Sequence, residues 1–151
     1  MYDVVMISGG FDPPHVGHIR MALESAKIGK KVIVGVNSDD WLTRKKGYVF
    51  MPWAERAELM EAVKGVDKCL DFDDSDNTAI DLIRKVRELY PNDSVAFANG
   101  GDRITDNTPE KSFCESVGVE MVWEVGGGKI QSSSDLVKAS MFAKKHLKES
   151  G

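Results

Sequence analysis

Cysteines and long apolar runs are scarce in this chain of 151 residues, and each scarcity excludes a class of protein. The two cysteines, Cys69 and Cys114, stand 45 positions apart, and no C-x-x-C pair occurs. A disulfide framework or a structural zinc site is therefore not expected, and a reducing compartment fits best. The longest aliphatic run, Val32 to Val36, is far shorter than the roughly 20 apolar residues of a membrane-spanning helix.

The chain also has no excess of positively charged residues. Lys and Arg together number 20 against 24 for Asp and Glu, so the formal net charge is −4. An acidic chain lacks the basic surface of a nucleic-acid binder, so we expect no nucleic-acid partner. The N-terminus reads Met-Tyr-Asp and has no basic region of a signal peptide. We therefore expect a cytoplasmic protein that makes no contact with a membrane.

Two common nucleotide motifs are missing as well. No G-x-G-x-x-G follows the first β-rich run, and no G-x-x-x-x-G-K-[ST] occurs anywhere in the chain. Their absence argues against a dinucleotide-dependent dehydrogenase and against a P-loop phosphotransferase.

Short β-rich runs alternate with helix-length segments throughout, and the length allows one domain, residues 1–151. The predicted strands are Asp3–Ser8, Lys31–Val36, Asp67–Phe72, Ser94–Ala98 and Glu120–Val125. The predicted helices are Val16–Ile28, Pro52–Lys64, Asn77–Tyr90, Pro109–Val117 and Ser133–Lys148. This order predicts an α/β protein, a single Rossmann-like three-layer α/β/α domain with a five-stranded parallel sheet. Residues 37–51, 100–108 and 126–131 are predicted to be irregular.

The segment after the first predicted strand is the most informative part of the sequence. It reads Gly9-Gly10-Phe11-Asp12-Pro13-Pro14-His15-Val16-Gly17-His18 and runs directly into a helix. Gly9 and Gly10 allow backbone N–H groups to approach a ligand closely. Gly17 leaves space above the N-terminus of the helix. Since ligands bind at the carboxyl ends of parallel strands, this turn is a candidate site.

Two histidines in this segment are candidate phosphate ligands. His15 and His18 are three positions apart, so both side chains can face the same side of the first helical turn. A helix N-terminus attracts anions, and two imidazoles there can donate hydrogen bonds to phosphate oxygens. The residues alone leave two other interpretations open: a plain turn, or a metal site that also includes Asp12.

The complete pattern Gly-x-Phe-Asp-x-x-His-x-Gly-His closely resembles the signature of the cytidylyltransferase-like nucleotidyltransferase superfamily. The resemblance implies transfer of a nucleoside monophosphate from ATP or CTP to a phosphorylated small molecule, with release of pyrophosphate. It implies that His15 and His18 contact the triphosphate and stabilise charge at the α-phosphorus. It also implies that the rest of the segment binds the nucleotide, through Gly9, Gly10, Phe11, Asp12 and Gly17.

A second signature of the superfamily, Ile-Ser-Ser/Thr-Thr-x-Ile, is similar to residues Gln131–Val137. Ser132 with an acidic residue three positions later forms a capping box at a helix start. The resemblance adds that Ser132, Ser133 and Ser134 bind the β- and γ-phosphates. The sequence departs from the signature at Ser134, where the superfamily usually has Thr, and in lacking the Arg that follows the motif.

The basic segment Arg44-Lys45-Lys46-Gly47 follows the second predicted strand. On its own, such a segment indicates a solvated loop. The resemblance implies a catalytic lysine that neutralises the acceptor phosphate and the α-phosphate, without deciding between Lys45 and Lys46. Because residues 37–51 are predicted to be irregular, we expect a loop that is mobile when empty and closes over the substrates.

The remaining site residues also follow from the resemblance. Asn37, Asp39 and Arg56 are predicted to bind the acceptor, although Arg56 also suits a structural ion pair. The segment Gly101, Asp102 and Arg103, after the fourth predicted strand, is predicted to hold the base and ribose of the nucleotide. The resemblance extends from Ile7 to Val137.

Within the superfamily the sequence is most like the heptose-phosphate adenylyltransferase domain of ADP-heptose synthesis. Glycerol-3-phosphate cytidylyltransferases carry Arg-Thr-x-Gly before the second signature, where this chain has Gly127–Ile130. We therefore expect a sugar-phosphate adenylyltransferase. The alternatives are a cytidylyltransferase for glycerol phosphate or an amino-alcohol phosphate, and a non-catalytic nucleotide-binding module. We also expect Mg²⁺ bound mainly through the nucleotide phosphates, no metal ligand from the protein, and a homodimer.

Overall fold

The structure, a computed structural model, describes residues 1–100 and 109–125, which form a parallel sheet with helices on both faces. The strands are β1 (Tyr2–Gly9), β2 (Gly29–Val36), β3 (Val66–Leu70), β4 (Val95–Gly100) and β5 (Val119–Val125). The helices are α1 (Val16–Ile28), α2 (Asp39–Lys46), α3 (Trp53–Glu61), α4 (Ile80–Leu89) and α5 (Pro109–Val117). The strand order is β3-β2-β1-β4-β5, and every pairing is parallel.

Both faces of the sheet are covered, so three layers form, as the alternating sequence pattern predicts. Side chains alternate between the two faces along each strand. Val4 and Met6 of β1 are fully buried in the cluster that includes α4 and α5. Val5 and Ile7 are fully buried in the cluster that includes α1 and α3. The predicted α/β class and the five-stranded parallel sheet are confirmed.

One element was missed, because residues 37–51 were predicted to be irregular and instead contain α2. Ser38 caps this helix, and its hydroxyl accepts a hydrogen bond from the Trp41 N–H at 3.0 Å. The charges suit the helix dipole, since the first turn is acidic and the last turn is basic. Gly47, with φ of 83°, ends the helix in the left-handed conformation.

The other predicted helices and strands of the described residues differ from the observed ones only at their first or last residues. Helix α3 is shorter than the predicted Pro52–Lys64, and α4 begins three residues after the predicted start. The predicted helix Ser133–Lys148 lies outside the described residues. No helix in the described ranges is long and apolar enough to cross a membrane.

The topology places one turn at the centre of the sheet edge. β1 pairs with β2 on one side and with β4 on the other, so the chain order reverses beside β1. In open parallel sheets ligands bind at such a switch point, beyond the carboxyl ends of the strands. The turn that joins β1 to α1 lies at this point.

Candidate active site

The turn after β1 ends in a helix cap made by two histidines. His15 is the N-cap residue of α1, and its Nδ1 accepts a hydrogen bond from the Gly17 N–H at 3.0 Å. In return, Nδ1 of His18 accepts from the His15 N–H at 3.2 Å. A Cβ at position 17 would lie 2.9 Å from Cε1 of His15, so glycine there lets the ring fold back onto the helix. The two imidazoles therefore form the reciprocal bonds of a capping box.

Burial keeps both rings neutral, and the cap decides which nitrogen carries the proton. Burial lowers the pKa of His15. Burial and the neighbouring His15 lower the pKa of His18 to about 3. Both imidazoles are therefore neutral at pH 7. Because each Nδ1 accepts a hydrogen bond, each proton lies on Nε2.

The two Nε2–H donors lie side by side at the start of α1. The ring centroids of His15 and His18 are 3.7 Å apart, and the planes differ by 25°. The edge of the His18 ring meets the buried Phe11 ring at 4.8 Å. Nε2 of His15 is buried and has no hydrogen-bond partner within the described ranges. A buried donor without a partner is costly, so this atom is ready to bind an acceptor such as a phosphate oxygen.

Asp12 anchors the chain that follows α2. Its carboxylate is 1% exposed and accepts from the N–H groups of Phe50 at 2.7 Å and Met51 at 2.5 Å. Nζ of Lys46 lies 3.1 Å from the same carboxylate and donates to the Asp12 carbonyl at 2.9 Å. Both carboxylate oxygens are thus engaged within the protein. A direct contact of Asp12 with the nucleotide stays a prediction.

Lys45 and Lys46 differ sharply in environment, although they are adjacent in the last turn of α2. The Lys46 side chain is 15% exposed and is held by Asp12. Lys45 is exposed, with its ammonium 4.5 Å from the centroid of the Trp41 ring. The expected open loop is therefore wrong: these lysines belong to a capped helix. Closure of this helix over the substrates stays a prediction.

Helix α2 packs directly over the β1 turn. A Cβ at Gly10 would lie 2.9 Å from Cδ2 of Leu42 and 3.4 Å from Cζ3 of Trp41. Gly10 therefore permits the close approach of a helix. Through Trp41, the Lys45 ammonium is held near the same turn that carries the histidines.

Arg56 is completely buried and joins the ends of β1 and β2. Its guanidinium donates to the carbonyls of Gly10 and Asn37, each at 2.7 Å, and to the Met51 carbonyl at 2.8 Å. A further N–H group reaches Asp39 Oδ1 at 2.6 Å. Four of its five donors are thus used by the protein. Arg56 thus forms the structural ion pair that the sequence also allowed, and its predicted contact with the acceptor stays a prediction.

Asp74 is a structural centre that the sequence did not reveal. Its carboxylate is 4% exposed and accepts from Asn37 Nδ2 at 3.0 Å. It also accepts from the Ser38 N–H and hydroxyl, both at 2.7 Å. Asn37 thus donates to Asp74 through Nδ2, and its predicted contact with the acceptor stays a prediction. The four aspartates within residues 71–76 were visible in the sequence, but nothing there showed which carboxylate is buried.

Comparison with known proteins shows which family this sequence belongs to. The Cytidylyltransferase-like family profile matches residues 6–138. The bifunctional protein HldE of Geobacter sulfurreducens is 31% identical over 144 residues, which cover 93% of this chain and 27% of that protein. HldE of Syntrophotalea carbinolica is 32% identical over 128 residues, or 82% of this chain and 24% of that protein. The chain belongs to the cytidylyltransferase-like family.

Solved structures show the same fold. The lipopolysaccharide core biosynthesis protein from Thermoplasma volcanium matches with a TM-score of 0.65 and 25% identity, over 82% of this chain and 97% of that one. A bifunctional NMN adenylyltransferase/ADP ribose pyrophosphatase from Francisella tularensis matches with a TM-score of 0.62 and 21% identity, over 88% and 40% of the two chains. The predicted family is confirmed. The chain spans about a quarter of the length of the curated HldE relatives.

Part of the predicted cytidylyltransferase-like site lies outside the described residues. This holds for the segment after β4 and for the second signature, that is Gly101, Asp102, Arg103, Ser132, Ser133 and Ser134. Their contacts with a nucleotide stay predictions. Asn99, near the end of β4, was not predicted: it is 6% exposed, and its Nδ2 has no partner among residues 1–100 and 109–125.

Proposed function

We propose that this chain transfers a nucleoside monophosphate from a nucleoside triphosphate to a sugar phosphate, with release of pyrophosphate and with ATP as the preferred nucleotide. The observation that carries the proposal is the pair of stacked, neutral imidazoles at the start of α1. Each holds a proton on Nε2, and one of these donors is buried without a partner in the described part of the chain.

The chemistry needs such donors more than it needs a base. The phosphate of the acceptor is already ionised at neutral pH, and it attacks the α-phosphorus while pyrophosphate leaves. Catalysis then consists of holding the two phosphates together and stabilising the negative charge on the phosphoryl oxygens. His15 and His18 supply two fixed donors, the N-terminus of α1 adds its dipole, and Lys45 supplies a positive charge nearby.

Mg²⁺ enters this proposal with the nucleotide. No group of three or more His, Cys, Asp or Glu side chains within residues 1–100 and 109–125 is placed to hold a metal ion. Asp12 is the carboxylate in the turn, and its oxygens already bind two N–H groups and Lys46. A metal bound through phosphate oxygens supplies charge neutralisation, as in phosphoryl transfer generally. No step assigned to this chain's residues depends on it.

The similarity to HldE proteins supports a sugar phosphate as acceptor, and so does the resemblance of the motifs to the heptose-phosphate adenylyltransferase domain. The expected cytidylyltransferase and non-catalytic alternatives make different predictions. A cytidylyltransferase would use CTP with glycerol phosphate or an amino-alcohol phosphate. A binding module would hold nucleotide without turnover.

A pyrophosphate-release assay tests the proposal. The full chain is incubated with Mg²⁺, ATP or CTP, and a panel of hexose and heptose phosphates, glycerol 3-phosphate and phosphocholine. We expect pyrophosphate with ATP and a sugar phosphate, together with an ADP-sugar detected by mass spectrometry. His18→Gln provides the matched low-activity control. Nucleotide binding without pyrophosphate from any pair would contradict the proposal and favour the binding module.

A further inference from the structure

Helix α2 is held at both of its ends by one residue, Asp74, in the loop between β3 and α4. The Asp74 carboxylate is 4% exposed and accepts hydrogen bonds from the N–H group and the hydroxyl of Ser38, each at 2.7 Å. Ser38 is the N-cap residue of α2. The Asp74 carbonyl accepts from Nη2 of Arg44, in the last turn of α2, at 2.8 Å. The loop after β3 therefore determines where both ends of this helix lie.

We propose that Asp74 is a positioning residue for the transfer reaction, which fixes α2 so that the Lys45 ammonium is presented beside the turn that carries the two histidines. This role rests on the proposed function, which uses a positive charge next to the reacting phosphates. Asp74 acts through the helix and not on a substrate, because its carboxylate is buried and already accepts three hydrogen bonds within the protein.

A chain of three contacts leads from Asp74 to Lys45. Asp74 accepts a hydrogen bond from the Ser38 hydroxyl, and the oxygen of this hydroxyl accepts one from the Trp41 N–H at 3.0 Å. The centroid of the Trp41 ring lies 4.5 Å from the Lys45 ammonium, and the same ring packs over Gly10 in the β1 turn. Loss of the Asp74 carboxylate releases Ser38, and the displacement passes through Trp41 to the lysine.

Helix α2 needs this support because it is short and largely polar. It has eight residues, and Leu42 is its buried residue. Isolated helices shorter than about 12–15 residues are marginal in water, so the stability of α2 comes from its contacts with the rest of the protein. Accurate placement matters for catalysis, since a displacement of about 1 Å can lower a rate by about 10²-fold. A residue that anchors α2 therefore affects turnover without touching the substrate.

Asp74→Asn tests whether hydrogen bonds or charge carry this role. Oδ2 of Asp74 accepts from Asn37 Nδ2 and from the Ser38 N–H, and Oδ1 accepts from the Ser38 hydroxyl. An amide oxygen in the place of Oδ2 keeps the first two bonds, and the amide N–H group donates to the hydroxyl in the third. We therefore expect kcat/KM for the acceptor to fall less than about threefold.

Asp74→Ala removes all three bonds. We expect kcat/KM for the acceptor to fall by about 10–10²-fold, while the Kd for ATP changes less than about threefold. Pyrophosphate release is measured at a temperature at which unfolding curves show every variant to be folded. Asp73→Ala is the matched control: this exposed aspartate accepts hydrogen bonds from Ser75 in its own loop, so no change is expected. Equal losses in Asp74→Asn and Asp74→Ala, or wild-type turnover in Asp74→Ala, would overturn the proposal.

Combination with Lys45→Ala distinguishes positioning from plain stabilisation of the fold. Because Asp74 acts through Lys45, the double variant with Asp74→Ala should lose no more than about threefold in kcat/KM beyond Lys45→Ala alone. Multiplication of the two single losses would show independent effects and overturn the proposal. If Asp74→Ala does not fold, Ser38→Ala takes its place in the same cycle, because it removes the hydroxyl that links Asp74 to Trp41.

Hydrogen exchange separates this role from the proposed function. In the protein without nucleotide, we expect Asp74→Ala to raise the amide exchange rates of residues 41–47 by about tenfold or more, with those of α1 unchanged. Asp74→Asn and Asp73→Ala should keep rates near those of the wild type. If the wild-type chain releases no pyrophosphate with any acceptor, the proposed function fails, and exchange still decides whether Asp74 holds α2. Unchanged exchange of residues 41–47 in Asp74→Ala overturns the proposal.

Discussion

At the scale of single residues, His15 and His18 cap a helix, and the proposed function gives them a second role. Each Nδ1 satisfies a backbone N–H group at the start of α1, and this leaves the proton on Nε2, where a phosphate can accept it. Helix capping thus fixes the tautomer that the proposed chemistry needs. Removing either ring has a structural effect and a chemical one, which a useful test must separate.

His18→Gln separates these two effects. Glutamine at the third helical position also forms a capping box, so we expect the free energy of unfolding to stay within about 0.5 kcal/mol of the wild type. The imidazole Nε2–H is replaced by an amide N–H in a different position, and kcat should fall by about 10²–10³-fold. His18→Ala should show the same loss of activity and an additional loss of about 1 kcal/mol in stability. Denaturant unfolding and pyrophosphate release measure the two quantities, and an unchanged kcat in His18→Gln would remove His18 from the mechanism.

At the scale of elements, α2 is fixed by contacts at both ends. Asp74 binds Ser38 at its N-terminus, and Asp12 binds Lys46 at its C-terminus. Between them, Leu42 and Trp41 pack over Gly10. Helix α2 therefore connects the buried Asp74 with the turn after β1.

Lys45→Ala and Lys46→Ala form a matched pair for testing this arrangement. We expect Lys46→Ala to lower the free energy of unfolding by about 1–3 kcal/mol, because it leaves the buried Asp12 without its cation. Lys45 is exposed, so Lys45→Ala should change stability by less than about 0.5 kcal/mol. We expect Lys45→Ala to lower kcat/KM for the acceptor by about 10–10³-fold. Equal stability losses in the two variants, or wild-type turnover in Lys45→Ala, would contradict this assignment.

At the scale of the whole molecule, the neutral histidines make stability dependent on pH. The pKa of His18 falls to about 3 in the folded protein and that of His15 is also lowered, while the usual value is 6.5. Below pH 6.5 the unfolded chain takes up protons that the folded protein does not bind. Stability is therefore complete above pH 6.5 and decreases as the pH falls toward 3.

Urea unfolding at pH 7 and pH 5 measures this effect. We expect a lower free energy of unfolding at pH 5, with His18 contributing up to about 1.4 kcal/mol per pH unit and His15 acting in the same direction. The double variant His15→Asn with His18→Gln keeps residues that cap a helix and removes both titrating groups. Its stability should depend much less on pH in this interval. The same dependence as in the wild type would show that these histidines are not held neutral.

The family fold and the central motif could be predicted from the sequence because both depend on residues that are close together in the chain. Runs of β-branched residues and helix-length segments alternate along the chain, and this order already implies a parallel sheet. The predicted histidines lie together because they are three positions apart on one helix. Helix α2 escaped prediction because its eight residues, mostly polar, have no apolar periodicity; Leu42 is its buried residue. The homodimer, the cytoplasmic location and Mg²⁺ stay predictions.

Other features were decided only by the tertiary structure, because they join residues far apart in the chain. Arg56 meets Gly10 across 46 positions, Asp74 meets Asn37 across 37, and Lys46 meets Asp12 across 34. Each contact depends on the strand order and on which helix packs over which strand end, and no local pattern encodes either. The sequence by itself therefore determined which residues form the turn after β1 that carries the two histidines. Tertiary packing decided which charged side chains are anchors within the protein and which remain exposed to a substrate.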